Sequence, residues 1–411
     1  MLRVRRLFAV LVLQLLGSIA MHAQAQTSKP STIDPVRGTI KGSTRYIGMG
    51  GAFVAIADDT EGVAINPASA AVRLPYSWDA FSYAFGIDFS IATWLPKNDL
   101  YNAPDSGSNK SGSLFGSIAV LLNYRHAGFG FAAEAEQNAV SQHAQGVSTK
   151  LTANFGLIHT VAAYGYFDGQ LLLGAGLRTV GFSFDAGQSV VPTSAGIGYT
   201  AGFVVKPKGQ QFRVGATIEQ PINAKLEGGP GTAPVTADVP WTAALGFAYQ
   251  FGQRRLNPPF VTAVERARRD VACGEPTPAD VKKAAAELFE EYEKGQTWYL
   301  LVSTELALIE GGGSVALGTH LALDRPLISP RLGLESEVVP RYLRLRAGSY
   351  LELPAAQGGE TRLHGTGGVD VKLFEWGVFG LVRPFDYWQL SLAADGAKSY
   401  LNTSFSIGFW H

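Results

Sequence analysis

Alternation with a period of two runs through almost the whole chain, and it limits the available folds more than any other feature. In residues 170–184, Leu171, Leu173, Ala175 and Leu177 fall on one face, while Leu172, Gly174, Gly176 and Arg178 fall on the other. In 211–219, Phe212, Val214, Ala216 and Ile218 oppose Arg213, Gly215, Thr217 and Glu219. Leu343, Leu345, Ala347, Leu351 and Leu353 oppose Arg344, Arg346, Gly348, Tyr350 and Glu352, and Val369, Val371 and Leu373 oppose Asp370 and Lys372. Successive side chains of a strand point to opposite faces, so each segment reads as a strand with one apolar side. Similar segments, separated by Gly, Pro, Asn and Asp turns, run from Asp79 to Trp410 and give about 14 to 16 strands, with Ser314–Leu323 and Trp376–Val382 among them.

A soluble sandwich also alternates, but its solvent face is normally rich in Lys and Glu. Here only 17% of the 411 residues are charged, 34 Lys+Arg balance 34 Asp+Glu, and 48 residues are Gly. The second face of the strands mixes Gly, Ser and Thr with a few Arg, Asp and Glu. An apolar outside, a polar lumen and no unpaired edge are what a barrel in lipid needs. The pattern therefore predicts an all-β fold, a transmembrane antiparallel β-barrel of about 14 strands surrounded by the lipids of a Gram-negative outer membrane. Trp94, Trp241, Trp298, Trp376 and Trp410, all near expected strand ends, suit an interfacial girdle as a set. Hydrophobic residues reach 46% without an internal apolar run long enough for a helical span. Balanced charge argues against nucleic acid as a partner, and a single Cys excludes an intrachain disulfide.

The ends and the middle of the chain depart from this pattern. Arg3, Arg5 and Arg6, an apolar stretch from Leu7 to Ala20 and then Ala23-Gln24-Ala25 read as a signal peptide over residues 1–25. Residues 26–75 form a polar lead-in followed by a compact small-residue segment, expected as a hatch or plug; 76–255 and 297–411 are the two parts of the barrel. Between them, 256–296 reads as a helical insertion at one mouth. Thr277-Pro278-Ala279-Asp280 has the form of an N-cap with Pro in the first turn and an acid at N3. Val281, Ala285, Leu288 and Tyr292 follow on one helical face, and Gly295 is a stop. Cys273 in its middle reads as structural or incidental.

The most specific string is Gly48-Met49-Gly50-Gly51-Ala52-Phe53, followed by Asp58-Asp59 and then Asn66-Pro67-Ala68. Gly48, Gly50 and Gly51 permit close backbone approach or positive φ; Asp58, Asp59 and Asn66 can satisfy turn amides. No Walker Lys-Ser/Thr ending follows, so the glycines do not read as a phosphate loop. Asp58, Asp59 and Glu61 do not have the spacing of an EF-hand, and turn capping is the stronger reading.

This string resembles the N-terminal signature of the FadL-like and PorV-like outer-membrane barrel superfamily, over about 30 residues. The resemblance implies a 14-stranded barrel, plugged by an N-terminal hatch to which Gly48, Gly50, Gly51, Phe53, Asp58, Asp59, Asn66 and Pro67 would belong. In the FadL-like branch it also implies a hydrophobic ligand bound inside and released sideways through the wall. The glycine-rich spelling is similar to the PorV-like side, whose members are secretion accessories. The terminal Phe409-Trp410-His411 resembles the aromatic strand end read by the barrel-assembly machinery, with one residue added.

Seven histidines show no paired zinc spacing, and no Gly-x-Ser-x-Gly elbow occurs, so neither an enzyme, a metal nor a cofactor is expected. Two functions remain open. One is passive passage of a hydrophobic, fatty-acid-like molecule, a lipid or detergent-like ligand, with Arg178, Arg213, Glu219, Arg344, Arg346 and Asp370 lining the lumen. The other is a structural or secretion-accessory barrel that binds a protein partner through residues 264–293.

Overall fold

The computed structural model describes residues 32–33, 39–73, 80–92, 98–100, 102, 110–144, 147–185, 190–226, 235–271, 274–295, 297–311, 325–354, 359–375 and 387–409. The signal peptide, Trp94, Cys273, Trp376, Trp410, His411 and the expected strands Ser314–Leu323 and Trp376–Val382 lie outside the described residues.

The strands are β1 (Thr32–Ile33), β2 (Phe81–Ala92), β3 (Lys110–Tyr124), β4 (Ala127–Ala144), β5 (Val147–Tyr166), β6 (Leu171–Asp185), β7 (Val190–Val205), β8 (Phe212–Glu219), β9 (Ile222–Leu226), β10 (Val235–Val239), β11 (Thr242–Gly252), β12 (Tyr299–Ile309), β13 (Leu327–Val339), β14 (Leu343–Glu352), β15 (Arg362–Glu375), β16 (Tyr387–Ala397) and β17 (Tyr400–Phe409). Fourteen of them close a single antiparallel barrel. Neighbours in sequence pair, except that β8 pairs with β11, and β17 returns to β2 through pairs such as Phe405 with Phe89. Closure gives each of the fourteen strands a hydrogen-bonded neighbour on both sides, which is the condition for strands to sit in lipid. The hairpin β9–β10 is not hydrogen-bonded into the ring but packs against it, Ile222 lying on Gly196 and Gly198 of β7, and β10 pairs in parallel with β1; none of these three short strands was expected from the sequence.

The two faces sort as the alternation predicts. Leu173, Leu177, Leu345, Leu392 and Phe405 are exposed on the outside, whereas Leu172, Arg178, Arg344, Arg346 and Asp370 are buried within. One end of the barrel carries the start of β2, the end of β17 and tight turns such as Arg125–His126. There Phe81, Tyr124, Tyr166, Phe251, Tyr342 and Phe374 are exposed, together with Trp298, forming an aromatic band. Tyr and Phe supply most of that band, and Trp298 of the expected Trp set belongs to it.

Residues 39–73 run through the interior. Ser43 caps helix α1 (Thr44–Gly48) by accepting from the Tyr46 N–H. Two short 3-10 turns follow at Thr60–Gly62 and Pro67–Ala71; Asp59 caps the first and Asn66 the second. The segment divides the core between two apolar clusters, one around Phe53, Ile56 and Met49 and one around Val63, Ala68 and Ala70. It can lie this close because the wall beneath it is glycine. A Cβ on Gly128 would fall on the Ala70 carbonyl, one on Gly174 on Pro67, one on Gly215 on Val54, and one on Gly348 on the backbone of Gly50.

Between β11 and β12 the chain leaves the wall at the end that carries the start of β2 and the end of β17. It forms helices α2 (Ala263–Asp270) and α3 (Pro278–Gly295). Thr262 and Glu265 make a capping box on α2. Asp280 and Thr277 do the same on α3, with Thr277 N–H donating to Asp280 at 2.9 Å and Asp280 N–H to Thr277 Oγ1 at 3.3 Å. Arg266 ties the helices together through Glu291 at 2.8 Å.

Candidate hatch, lumen and vestibule

Gly50 and Gly51 occupy the left-handed region, with φ of 59° and 72°. Gly50 needs both this freedom and its missing side chain, because a Cβ there would meet the Leu332 carbonyl oxygen at 2.9 Å. The turn delivers Phe53 and Val54 to Glu305, whose carboxylate accepts both backbone N–H groups at 2.9 and 2.8 Å. Arg331 neutralises Glu305 at 2.8 Å. Asn66 accepts from the Ala68 N–H at 3.0 Å and donates to the Val54 carbonyl at 2.9 Å and to Phe203 on β7 at 3.2 Å. A single side chain thus caps a turn, closes the inner segment on itself and anchors it to the wall.

Of the six expected lumen residues, four come together. Arg346 pairs with Glu335 at 2.7 Å and with Asp370 through both guanidinium nitrogens. Arg344 lies 3.6 Å from both Asp370 and Glu337. Arg213 donates to the Ile56 carbonyl at 2.6 Å, to Leu256 O at 2.9 Å and to Asn257 at 2.8 Å, with Asp58 at 3.3 Å. Asp58 and Glu335 are joined by Arg45, which sits 2.6 Å from the first and 2.8 Å from the second. Arg178 and Glu219 form a separate pair at 3.1 Å. Asp58 therefore binds guanidinium groups, while Asp59 is the turn cap. Among the described residues no group of acids, His or Cys is arranged to hold a metal ion.

Arg45, Glu305, Arg331, Glu335 and Glu337 escaped the sequence reading, although a signal was present. Arg331, Glu335 and Glu337 keep odd spacing in a strand whose other face is Ile328, Leu332 and Leu334. Glu305 is the one charge within Tyr299–Ile309. Charges that hold the alternation on the non-lipid face of a barrel strand mark what the lumen must neutralise. Nearer the opposite mouth, His364 is held between Glu352 at 2.7 Å and Asp395 at 2.8 Å, and Tyr350 donates to Asp395 at 2.6 Å.

Below the inner segment, a cavity of about 690 Å³ separates it from α2 and α3. Arg45, Asp58 and Glu61 line its roof; Arg254, Arg255, Phe260, Arg269, Leu288 and Tyr292 come from the insertion. Burial, with Asp59 beside it, pushes the Glu61 carboxyl well above the ordinary carboxylate range. Phe260 stacks under the Arg73 guanidinium, 4.4 Å from ring centre to charge, and so ties the insertion to the end of the inner segment.

No family model matches the sequence, and no curated protein does. Solved structures do match in fold. A FadL homologue of Pseudomonas aeruginosa superposes with a TM-score of 0.54 at 13% identity, covering 91% of this chain and 98% of that one. The toluene transporter TodX of Pseudomonas putida gives 0.51 at 12% identity, covering 90% of this chain and 98% of that one. With its closed ring of fourteen strands and its apolar exterior, this chain has the fold of the FadL-like outer-membrane barrels.

Proposed function

We propose that the protein lets a hydrophobic small molecule pass passively across the outer membrane. Gly48 to Pro67 would act as the hatch, and Arg178, Arg213, Glu219, Arg344, Arg346 and Asp370 as the lumen lining. The observation that carries this reading is the uneven height of the wall. β5 has 20 residues and β8 has 8. At about 3.4 Å per residue and a tilt near 45°, β8 rises only about 19 Å, less than the apolar band of about 25 Å. β7 pairs with β8 only over Thr200–Val205; beyond it the Tyr199 carbonyl accepts the Gln220 N–H at 2.8 Å, and Ile222 of β9 packs against Gly196 and Gly198 without joining the ladder. A low wall, past which β7 runs on without a ladder partner on that side, supports sideways release into lipid. The similar TodX is a toluene transporter by name, and a fatty-acid-like or monoaromatic ligand suits the same route.

Uptake of toluene and of oleate into proteoliposomes tests the proposal. Faster entry than into protein-free vesicles is expected for at least one of them. Equal rates for both would sink it.

A second reading has its own support. The interior charges neutralise one another beneath a tightly seated inner segment, as in a barrel that supports a partner. Residues 264–293 would then be the contact for a secretion component. In that case crosslinking from α3 would capture a protein, and neither hydrocarbon would enter faster.

A further inference from the structure

The cavity beneath the inner segment is charged in a way that the lumen is not. In the lumen, Arg213, Arg331, Arg344 and Arg346 all face carboxylates. Three basic side chains that line the cavity, Lys206, Arg255 and Arg269, have no acidic partner within ion-pair distance among the described residues. Arg255 and Arg269 are exposed, and Lys206 sits half-buried at the vestibule wall.

They stand on a rigid frame. The turn carrying Lys206 is fixed to the insertion where the Gly209 N–H donates to the Asn257 carbonyl at 2.9 Å, and Asn257 donates to Phe212 O at 2.8 Å. Arg255 reaches over the same turn, beside Gly209. Arg269 comes from the last turn of α2. Between the charges lie Leu256, Phe260, Leu288 and Tyr292, an apolar lining of the kind that holds the body of a small ligand. The volume of about 690 Å³ is that of a small-molecule site. A cleft with one excess sign of charge and low-dielectric walls concentrates ions of the opposite sign.

We propose that this vestibule is a second ligand site, which takes the anionic head of an amphiphile, a carboxylate or a phosphate monoester, with its apolar body against Phe260 and Tyr292. In outer-membrane barrels the short turns face the periplasm, which puts the vestibule on the exit side. As an exit station the site rests on the conduit reading; as an anion site it rests on the charges alone. Guanidinium groups suit both heads, because their paired N–H donors match two oxygens at once.

The test uses the full-length protein in nanodiscs of zwitterionic lipid, with calorimetric titration of 2-naphthoate, 2-naphthyl phosphate and the neutral 2-naphthalenemethanol. Both anions, or one of them, should bind. Affinity should fall about tenfold or more in Lys206→Met/Arg255→Met/Arg269→Met and at about 1 M salt, where screening shortens to about 3 Å. The neutral alcohol should not respond to either change. Arg255→Lys/Arg269→Lys keeps the charges and should bind the anions within a few-fold of the parent, and heat-modifiable gel migration verifies that each variant forms a barrel.

Binding of the preferred anion to the triple variant as tightly as to the parent would overturn the site, and so would absence of anion binding to the parent. Toluene and oleate uptake into proteoliposomes is measured in parallel. Charge-dependent anion binding without faster uptake of either would overturn the exit role and the conduit reading together while leaving the anion site. Uptake without charge-dependent binding would overturn the anion site alone.

Discussion

Glu305, on the inner face of β12, accepts the backbone N–H of Val54 at 2.8 Å, and this contact fixes the buried run Ala52–Ala57 of the inner segment against the wall. The same carboxylate also holds Phe53 N–H and Arg331. Removing it leaves a buried guanidinium and two buried amides short of a partner, a loss of about 3 to 5 kcal/mol by analogy with other broken buried pairs. Glu305→Ala should therefore loosen residues 53–54 without opening the strand ladder. Hydrogen exchange should report it: the Phe53 and Val54 amides should exchange about a hundredfold faster or more, and those of β12 should change little. Unchanged protection at Val54 would mean that the apolar packing, not the carboxylate, seats the segment.

The wall glycines give a second, independent handle. A methyl group on Gly128 would overlap the Ala70 carbonyl, whereas one on Gly365 meets nothing within 4 Å. Gly128→Ala should cost about 1 to 3 kcal/mol through overpacking and displace Pro67–Ala71. Gly365→Ala should be neutral or stabilise by about 0.5 kcal/mol, because the glycine lies in a strand. Urea titration of the refolded barrel distinguishes them. Trypsin provides a second readout, since Arg73 lies just beyond the displaced turn and should be cut faster in Gly128→Ala only.

The barrel was legible in the sequence because lipid outside and water inside write themselves into alternate residues. Leu171 to Arg178 sort to opposite faces as the pattern requires, and the helix at Pro278 begins with the capping residues that the sequence displays. The extents of strands were harder to read. β4 and β7 continue to Ala144 and from Val190, past the points where apolar alternation fades, because pairing with a neighbouring strand outweighs local preference. β9 and β10 were missed, being five-residue strands that pair with each other and with β1 and not along the ring. The charge lattice was half legible: Arg346 and Asp370 stand out in apolar strands, but nothing in sequence joins Arg45 to Glu335 across 290 residues.

The lipid-facing assignment is testable one residue at a time. Leu177 is 45% exposed near the middle of β6, while its neighbour Arg178 is 3% exposed and faces inward. Leu177→Arg should destabilise the barrel in phospholipid vesicles by about 2 to 4 kcal/mol, the cost of a cation near the bilayer midplane. A change below about 0.5 kcal/mol would place that face of β6 in contact with water or protein.

Lys206 supplies the pH dependence. Burial against the vestibule wall lowers its pKa, and the nearby Arg213 lowers it further while Asp58 opposes the change, leaving the ammonium at about 7. Its ordinary value is 10.5. Between about 7 and 10.5 the unfolded chain holds a proton that the folded one has released, so this group makes stability rise with pH across that window and contributes no slope outside it. Lys206→Met should flatten the rise and raise stability most below pH 7, where the folded protein carries the buried charge. Urea unfolding at pH 6, 8 and 10 measures the slope, and carbon-13 reductive methylation reads the titration of the amine itself. An amine that titrates near 10.5 would show that water reaches Lys206 freely; an anion bound in the vestibule should instead move the midpoint up from about 7, because the added negative charge favours the ammonium.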